Sequence, residues 1–237
     1  MQIHGPDHQD ISEEIDVMTA RLNFKGARVL ELGCGAAEKT RQIAEQTEVA
    51  EIVAAEVDEI QHAKNLAIDD LDKVTFASFG AEAIDAPDDS FDIVLMFKSL
   101  HHVPMDLMDR ALSEIKRVLK PAGVAYISEP VFAGDFNEVI RLFHDESTVR
   151  QAAFEAVARA VDDRVLDLQE EFFFKNVARL AHFGQFEKGI LNATHTDHDL
   201  TAELRQQVED RFESFRGEQG FVFEIPNRVD LLRKALV

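Results

Sequence analysis

The run Arg28-Val29-Leu30-Glu31-Leu32-Gly33-Cys34-Gly35-Ala36-Ala37-Glu38-Lys39-Thr40 constrains this chain more than any other stretch. Val29, Leu30 and Leu32 are the bulky apolar residues of a short buried strand, of the kind that reads as a nearly continuous hydrophobic run between helices. Gly33 and Gly35 then bracket one residue, so the backbone can turn sharply and approach a ligand that any Cβ would push away. Ala36 onward is helix-compatible to about Gln46. The glycine turn therefore lies at a helix N-terminus, where unpaired N–H groups collect. This combination predicts a nucleotide-type pocket at the end of a strand.

Two details narrow the ligand. A phosphate-cradling loop needs four residues between its glycines and then Gly-Lys-Ser/Thr, which is not the pattern here. A dinucleotide fingerprint places a third glycine, or an alanine, where this chain has Glu38. A carboxylate there faces the helix N-terminus that a pyrophosphate would occupy. The acid before the glycines, Glu31, suits a ligand that carries positive charge.

Glu31-Leu32-Gly33-Cys34-Gly35 resembles the E/D-x-G-x-G motif of class I S-adenosylmethionine-dependent methyltransferases, and three further features follow in that family's order. The apolar strand Ile52 to Val57 contains Glu56, an acid placed to accept hydrogen bonds from ribose hydroxyls, a better candidate than Asp58. Val74 to Phe79 and Gly80-Ala81-Glu82 are similar to the third strand and adenine loop, followed by Ser90-Phe91-Asp92 into a fourth strand. Gly80 departs from the pattern, because an acid reaching the adenine amino group often sits there. Lys98-Ser99-Leu100-His101-His102-Val103-Pro104 is similar to the loop that small-molecule methyltransferases place under the methyl group.

The resemblance implies S-adenosylmethionine as cofactor, bound by Glu31, Gly33, Cys34, Gly35, Glu56, Val57, Ala81, Glu82 and Phe97. It makes His101, His102 and Glu129 the candidates for taking a proton from the acceptor, histidine having a near-neutral pKa suited to that work. It implies an α/β fold: a doubly wound, mostly parallel seven-stranded sheet of Rossmann-like methyltransferase type, with a helical insertion after the fifth strand. Strands are expected at 28–32, 51–57, 74–78, 91–97 and 122–128, and helices at 37–47, 59–71 and 105–119.

The parts divide as follows. Residues 1–27 carry an amphipathic helix, a candidate lid, with Asp10 and Glu13 spaced as a capping box and Ile11, Ile15, Met18 and Leu22 at helical spacing. Residues 28–130 form the cofactor-binding core. Residues 131–186 are expected to be a helical cap, mostly helix over 135–182, whose Phe172, Phe173 and Phe174 could line an apolar cavity or form the cap's own core. Residues 187–237 complete the sheet, with strands expected at 189–195 and 228–234 and a helix carrying Leu200, Leu204, Val208, Phe212 and Phe215.

Composition limits the partners. The net charge of −20 and the absence of any basic block argue against nucleic acid, since phosphate binding relies on clustered Lys and Arg. The single cysteine, Cys34, excludes an intramolecular disulfide and suits a reducing compartment. With no 18-residue apolar run and no basic and apolar N-terminal leader, the expected place is the cytoplasm, with no membrane span. His195-Thr196-Asp197-His198-Asp199 looks metal-like but lacks a matching cluster, so no metal site is assigned. The reading is methyl transfer to a small molecule. The alternatives are a protein methyltransferase, a non-catalytic adenosylmethionine-binding protein and, further off, an NAD-dependent oxidoreductase.

Overall fold

The computed structural model describes residues 1–6, 8–191, 200–218 and 220–234. Helix α1 (Glu14–Thr19) precedes β1 (Arg28–Leu32), α2 (Glu38–Gln46), β2 (Glu51–Ala55), α3 (Glu59–Asn65), β3 (Val74–Ala77), β4 (Phe91–Phe97), α4 (Met108–Val118) and β5 (Leu119–Pro130). Beyond these come α5 (Asp135–Ile140), α6 (Ser147–Asp162), β6 (Leu166–Leu180), α7 (Phe183–Phe186) with a π-helical turn over Glu187–Leu191, α8 (Ala202–Glu213) and β7 (Phe221–Lys234).

The strands form one sheet in the order β3-β2-β1-β4-β5-β7-β6. It is parallel from β3 to β5 and antiparallel where β7 pairs with β5 and β6. This is the doubly wound, mostly parallel seven-stranded sheet that the sequence implied. Strand order reverses between β1 and β4, and ligands of such sheets bind at the carboxyl ends of the strands around that reversal.

Each face of the sheet buries its own core. On one face Leu30, Leu32, Val94, Met96, Ala125 and Ile127 meet α4 and α6. Helix α4 carries its apolar residues Met108, Ala111, Leu112, Ile115 and Val118 at helical spacing, all fully buried. Each large one is worth roughly 1.5–3 kcal/mol of burial. On the other face Val29, Leu95, Tyr126, Val229 and Phe174 meet α1 and α2. A third cluster, rich in phenylalanine, joins Val139 of α5, Phe183 and Phe186 of α7, Val208 and Phe212 of α8, and Phe221 and Phe223 at the far end of β7.

Several expected elements are corrected. Residues 166–180, expected to be helical, are the long strand β6, so only α5 and α6 lie between β5 and β6. Leu168, Phe172 and Val177 stand at near-helical spacing, but pairing along nearly all of β7 decides the state. Phe172, Phe173 and Phe174 thus belong to the sheet: Phe174 is buried in the core beside Tyr126, and the Arg21 guanidinium stacks on Phe172 at 3.7 Å. The expected strand at 189–195 is helical through Leu191, and its remainder lies outside the described residues, as does the His195–Asp199 run.

The capping box does not form. Helix α1 begins three residues later, with Glu13 at its N-cap making no side-chain bond, while Asp10 and Ser12 pair with Lys175 of β6. The closing strand spans Phe221–Lys234 rather than 228–234, and α3 stops at Asn65. At Lys120-Pro121-Ala122-Gly123 the chain bulges against β4, with Ala122 at φ +65°. No helix among the described residues is long and apolar enough to cross a membrane.

Candidate functional site

Strand β1 ends as expected in the glycine turn. Gly33 adopts φ +73° and Gly35 φ +51°, and Ala37 continues in the left-handed region as the N-cap of α2. A Cβ on Gly33 would stand 2.7 Å from Ser99 Cβ, so the close approach of the turn to the loop after β4 requires glycine there. Ser99 holds this contact by donating to the Leu32 carbonyl at 2.8 Å. Beside Gly35 the space is open, with no atom within 4 Å of a Cβ built there.

Two acids frame the turn. Glu56 accepts from the Gly35 N–H at 2.8 Å and from the Asp58 N–H at 2.9 Å, so one carboxylate ties the glycine turn to the end of β2. Glu31 is buried and accepts from the Thr40 hydroxyl at 2.6 Å. Burial pushes its carboxyl up to about 7, against the pull of Thr40 and of Lys39. Cys34 is buried, and desolvation together with Glu31 and Glu56 pushes its thiol far up, so it remains an inert filler of the turn. Asn65 steadies the same turn by donating to the Gly35 carbonyl at 2.8 Å.

The remaining expected residues differ in exposure. Val57 is exposed, Phe97 half-buried and Ala81 buried. The Glu82 carboxylate lies over Gly80, with oxygens 2.4 and 2.5 Å from where a Gly80 Cβ would stand. The acid two residues on thus lies over the position where an acid is absent.

On the opposite face a second polar set assembles. His101 is buried, its Nδ1 on the Glu129 carboxylate and its Nε2 3.5 Å from Glu146 Oε1. Glu129 also accepts from the Leu100 N–H at 2.9 Å, and Glu146 from Arg150 Nε at 3.0 Å. Burial pulls the imidazole down, but Glu129 and then Glu146 outweigh it and raise His101 to about 9. Burial likewise acts to raise Glu129, and the His101 charge overcomes it and holds the carboxyl below its usual range. His102 is exposed and its ring lies 4.2 Å from that of His101. His101, His102 and Glu146 offer ligand-type atoms within 4.8 Å of one another. With both ring nitrogens of His101 facing carboxylates, the arrangement favours an imidazolium over a metal ligand.

Sequence reasoning missed four residues here. Glu14 was not singled out, yet it is buried and accepts from the Tyr126 hydroxyl at 2.7 Å. Glu146, Arg150 and Arg228 come to the site from α6 and β7. Glu14 stood in the amphipathic pattern beside Ile15 and Met18. The other three carried no local signal.

Comparisons with known proteins bear on this geometry. Residues 29–123 match the family described as a methyltransferase domain. Sterol 24-C-methyltransferase of Yarrowia lipolytica is 33% identical over 117 residues, covering 48% of this chain and 30% of that protein. The 27-O-demethylrifamycin SV methyltransferase of Amycolatopsis mediterranei is 33% identical over 135 residues, 51% of this chain and 48% of that protein. The chain therefore spans less than half the length of these relatives. Among solved structures, a Bacillus halodurans protein described as a candidate methyltransferase superposes with TM-score 0.66 at 17% identity, covering 94% of this chain and 99% of that one. The [4+2]-cyclase SpnF superposes with TM-score 0.62 at 20% identity, covering 94% and 80%. The last two likenesses speak for the fold alone.

Proposed function

We propose that this chain, whose residues 29–123 match a methyltransferase-domain family, is a class I S-adenosylmethionine-dependent enzyme that transfers a methyl group from S-adenosylmethionine to a small-molecule acceptor. One observation carries the reading. The glycine turn is framed by two buried acids and opens beside Gly35, which suits a cationic nucleoside and disfavours a diphosphate. That the acceptor is a small molecule, and no more than that, follows the relatives, whose names specify a sterol and a rifamycin.

The residues fit the cofactor by donor and charge. Glu56 holds two backbone N–H groups at the end of β2, where a ribose diol needs a carboxylate acceptor. Glu31, buried and easily neutralised, would orient the turn and gain charge beside the amino acid ammonium, with the Phe97 carbonyl as a second acceptor. Gly33, Cys34 and Gly35 give the methionine portion its backbone wall, while Val57, Ala81 and Glu82 border the base, Glu82 reaching toward its amino group. The bound cofactor supplies an electrophilic methyl on a sulfonium, a leaving group already in place. The chain's own contribution is therefore mainly positioning and water exclusion.

If the acceptor must lose a proton, the exposed His102 is the group to take it. His101 already carries one between two carboxylates and acts better as a fixed cation that orients the loop; Glu129 is committed to it. A His102→Gln variant should lose at least tenfold in kcat with adenosylhomocysteine affinity unchanged.

Calorimetry with adenosylmethionine, adenosylhomocysteine and NAD tests the assignment. Micromolar binding of adenosylhomocysteine and none of NAD is expected, and NAD binding without the nucleoside would overturn it. A methyl-transfer screen against metabolite pools, with a panel of basic proteins run beside it, then separates small-molecule from protein acceptors and both from a silent binder.

A further inference from the structure

The cavity beyond Glu129 has a volume of about 190 Å³ and is lined by Ile3, Val131 and Phe132 on its apolar side and by Glu129, Arg150 and Arg228 among its polar residues. Arg228 is its unusual member. It sits directly opposite Glu129 on the β5–β7 ladder, is 4% exposed, and its guanidinium lies 4.7 Å over the Phe154 ring of α6. Its Nε donates to Asp230 Oδ2 at 3.0 Å, but its Nη2 is buried without a hydrogen-bond partner among the described residues, as is Asp230 Oδ1. A buried guanidinium nitrogen with no acceptor costs free energy unless something else supplies one.

Resting on the methyltransferase reading, we infer that this cavity is the acceptor subsite and that Arg228, with Arg150 beside it, binds a carboxylate of the acceptor while Phe132 and Val131 hold its apolar body. The neighbouring acids do not block such a guest. Both oxygens of Glu129 are engaged, by the Leu100 N–H and by His101, and Glu146 is held by Arg150 and flanked by His101. The three cations His101, Arg150 and Arg228 already face three acids, Glu129, Glu146 and Asp230, so the partnerless Nη2 of Arg228 suits a monoanion rather than a dianion. A phosphate dianion would add more negative charge than the cavity can balance. The carboxylate is an anchor and not the reacting atom: no bond to it forms or breaks. The same chemistry predicts that neutral sterol-like acceptors are poor ligands here, which would set this chain apart from the sterol-named relative.

The test is direct binding, by calorimetry and ligand-observed NMR, of benzoate, benzamide and phenyl phosphate to the full chain with and without saturating adenosylhomocysteine. Benzoate should bind at least tenfold more tightly than benzamide and more tightly than phenyl phosphate. Arg228→Lys and Arg150→Met should each weaken benzoate at least tenfold while leaving adenosylhomocysteine affinity unchanged. Both variants avoid the Arg228→Met change, which would strand Asp230 and endanger folding. Equal binding of benzamide, tighter binding of phenyl phosphate, no benzoate binding up to millimolar concentration, or no effect of the two variants would each overturn the inference. Failure of the nucleoside to bind defeats the methyltransferase reading instead, and the benzoate titration without it still reads the arginine pocket.

Discussion

Glu31 and Glu129 are both buried near the carboxyl edge of the same sheet, one in β1 and one in β5, yet they end on opposite sides of the ordinary carboxylate value. Glu31 leans on a neutral partner, the Thr40 hydroxyl, and desolvation carries it to about 7. Glu129 meets the same desolvation, yet the His101 charge and the Leu100 N–H hold it below its usual value. What decides a buried acid's state is therefore whether a full opposite charge stands across from it. The glycine-turn side is left with an acid waiting for a cation, and the histidine side with its charges already matched.

Breaking the matched side should have the largest effect. Glu129→Gln leaves His101 with only Glu146 for its charge and should lower stability by about 3–5 kcal/mol, the usual consequence of removing one partner of a buried pair; urea denaturation at pH 7 reads this directly. The pair has a pH signature too. Because the folded pKa of His101 lies near 9 against an ordinary 6.5, its stabilisation is complete below 6.5 and is lost as pH rises toward 9. The wild type should lose stability across that window and Glu129→Gln should lose little.

The unmatched side should respond next, and in a different window. Glu31 has a folded pKa of about 7 and an ordinary value of 4.5, so between these the folded chain binds one more proton than the unfolded one. Stability then falls as pH rises from 4.5 to 7, by on the order of 3 kcal/mol in total. Glu31→Gln should erase that slope. Adenosylhomocysteine, whose ammonium favours the charged acid, should release protons on binding at pH 6.5 in the wild type but not in the variant, as calorimetry in buffers of different ionisation enthalpy would register.

The two sides also differ in how far the sequence disclosed them. Glu31, Gly33, Gly35 and Glu56 lie within short spacings along two βα units, where strand, turn and helix are fixed by local residues, so the fold here and the grouping of this half of the candidate site were legible. His101 and Glu129 could be named as loop and strand-end residues, but their pairing could not. It depends on strand order, and Glu146, Arg150 and Arg228 arrive from α6 and β7 through contacts that span much of the chain. The helical spacing of Leu168, Phe172 and Val177 misled for the same reason: pairing with β7 outweighed local pattern. Glu14 escaped because an acid next to apolar residues reads as solvent-facing unless its Tyr126 partner is known.

Glu56→Ala tests whether the waiting side is a ligand site. The substitution removes an acceptor from the Gly35 and Asp58 N–H groups and from any ribose diol, and should weaken adenosylhomocysteine by roughly 1–3 kcal/mol in a titration. Unchanged affinity would remove Glu56 from the site and leave it as a turn staple.

The smallest effect is the most discriminating. Thr40→Val keeps the shape of a fully buried side chain and deletes only the hydroxyl that Glu31 accepts. A hydrogen bond to a neutral carboxyl is worth about 1 kcal/mol and one to a carboxylate about 2 kcal/mol. The cost of the substitution should therefore grow by about 1 kcal/mol between pH 5 and pH 8, as Glu31 ionises in the folded state. Denaturation curves at the two pH values would show it. A cost that stays flat would mean that Glu31 holds one charge state throughout, as Glu129 does beside His101, and the contrast between the two acids would be gone.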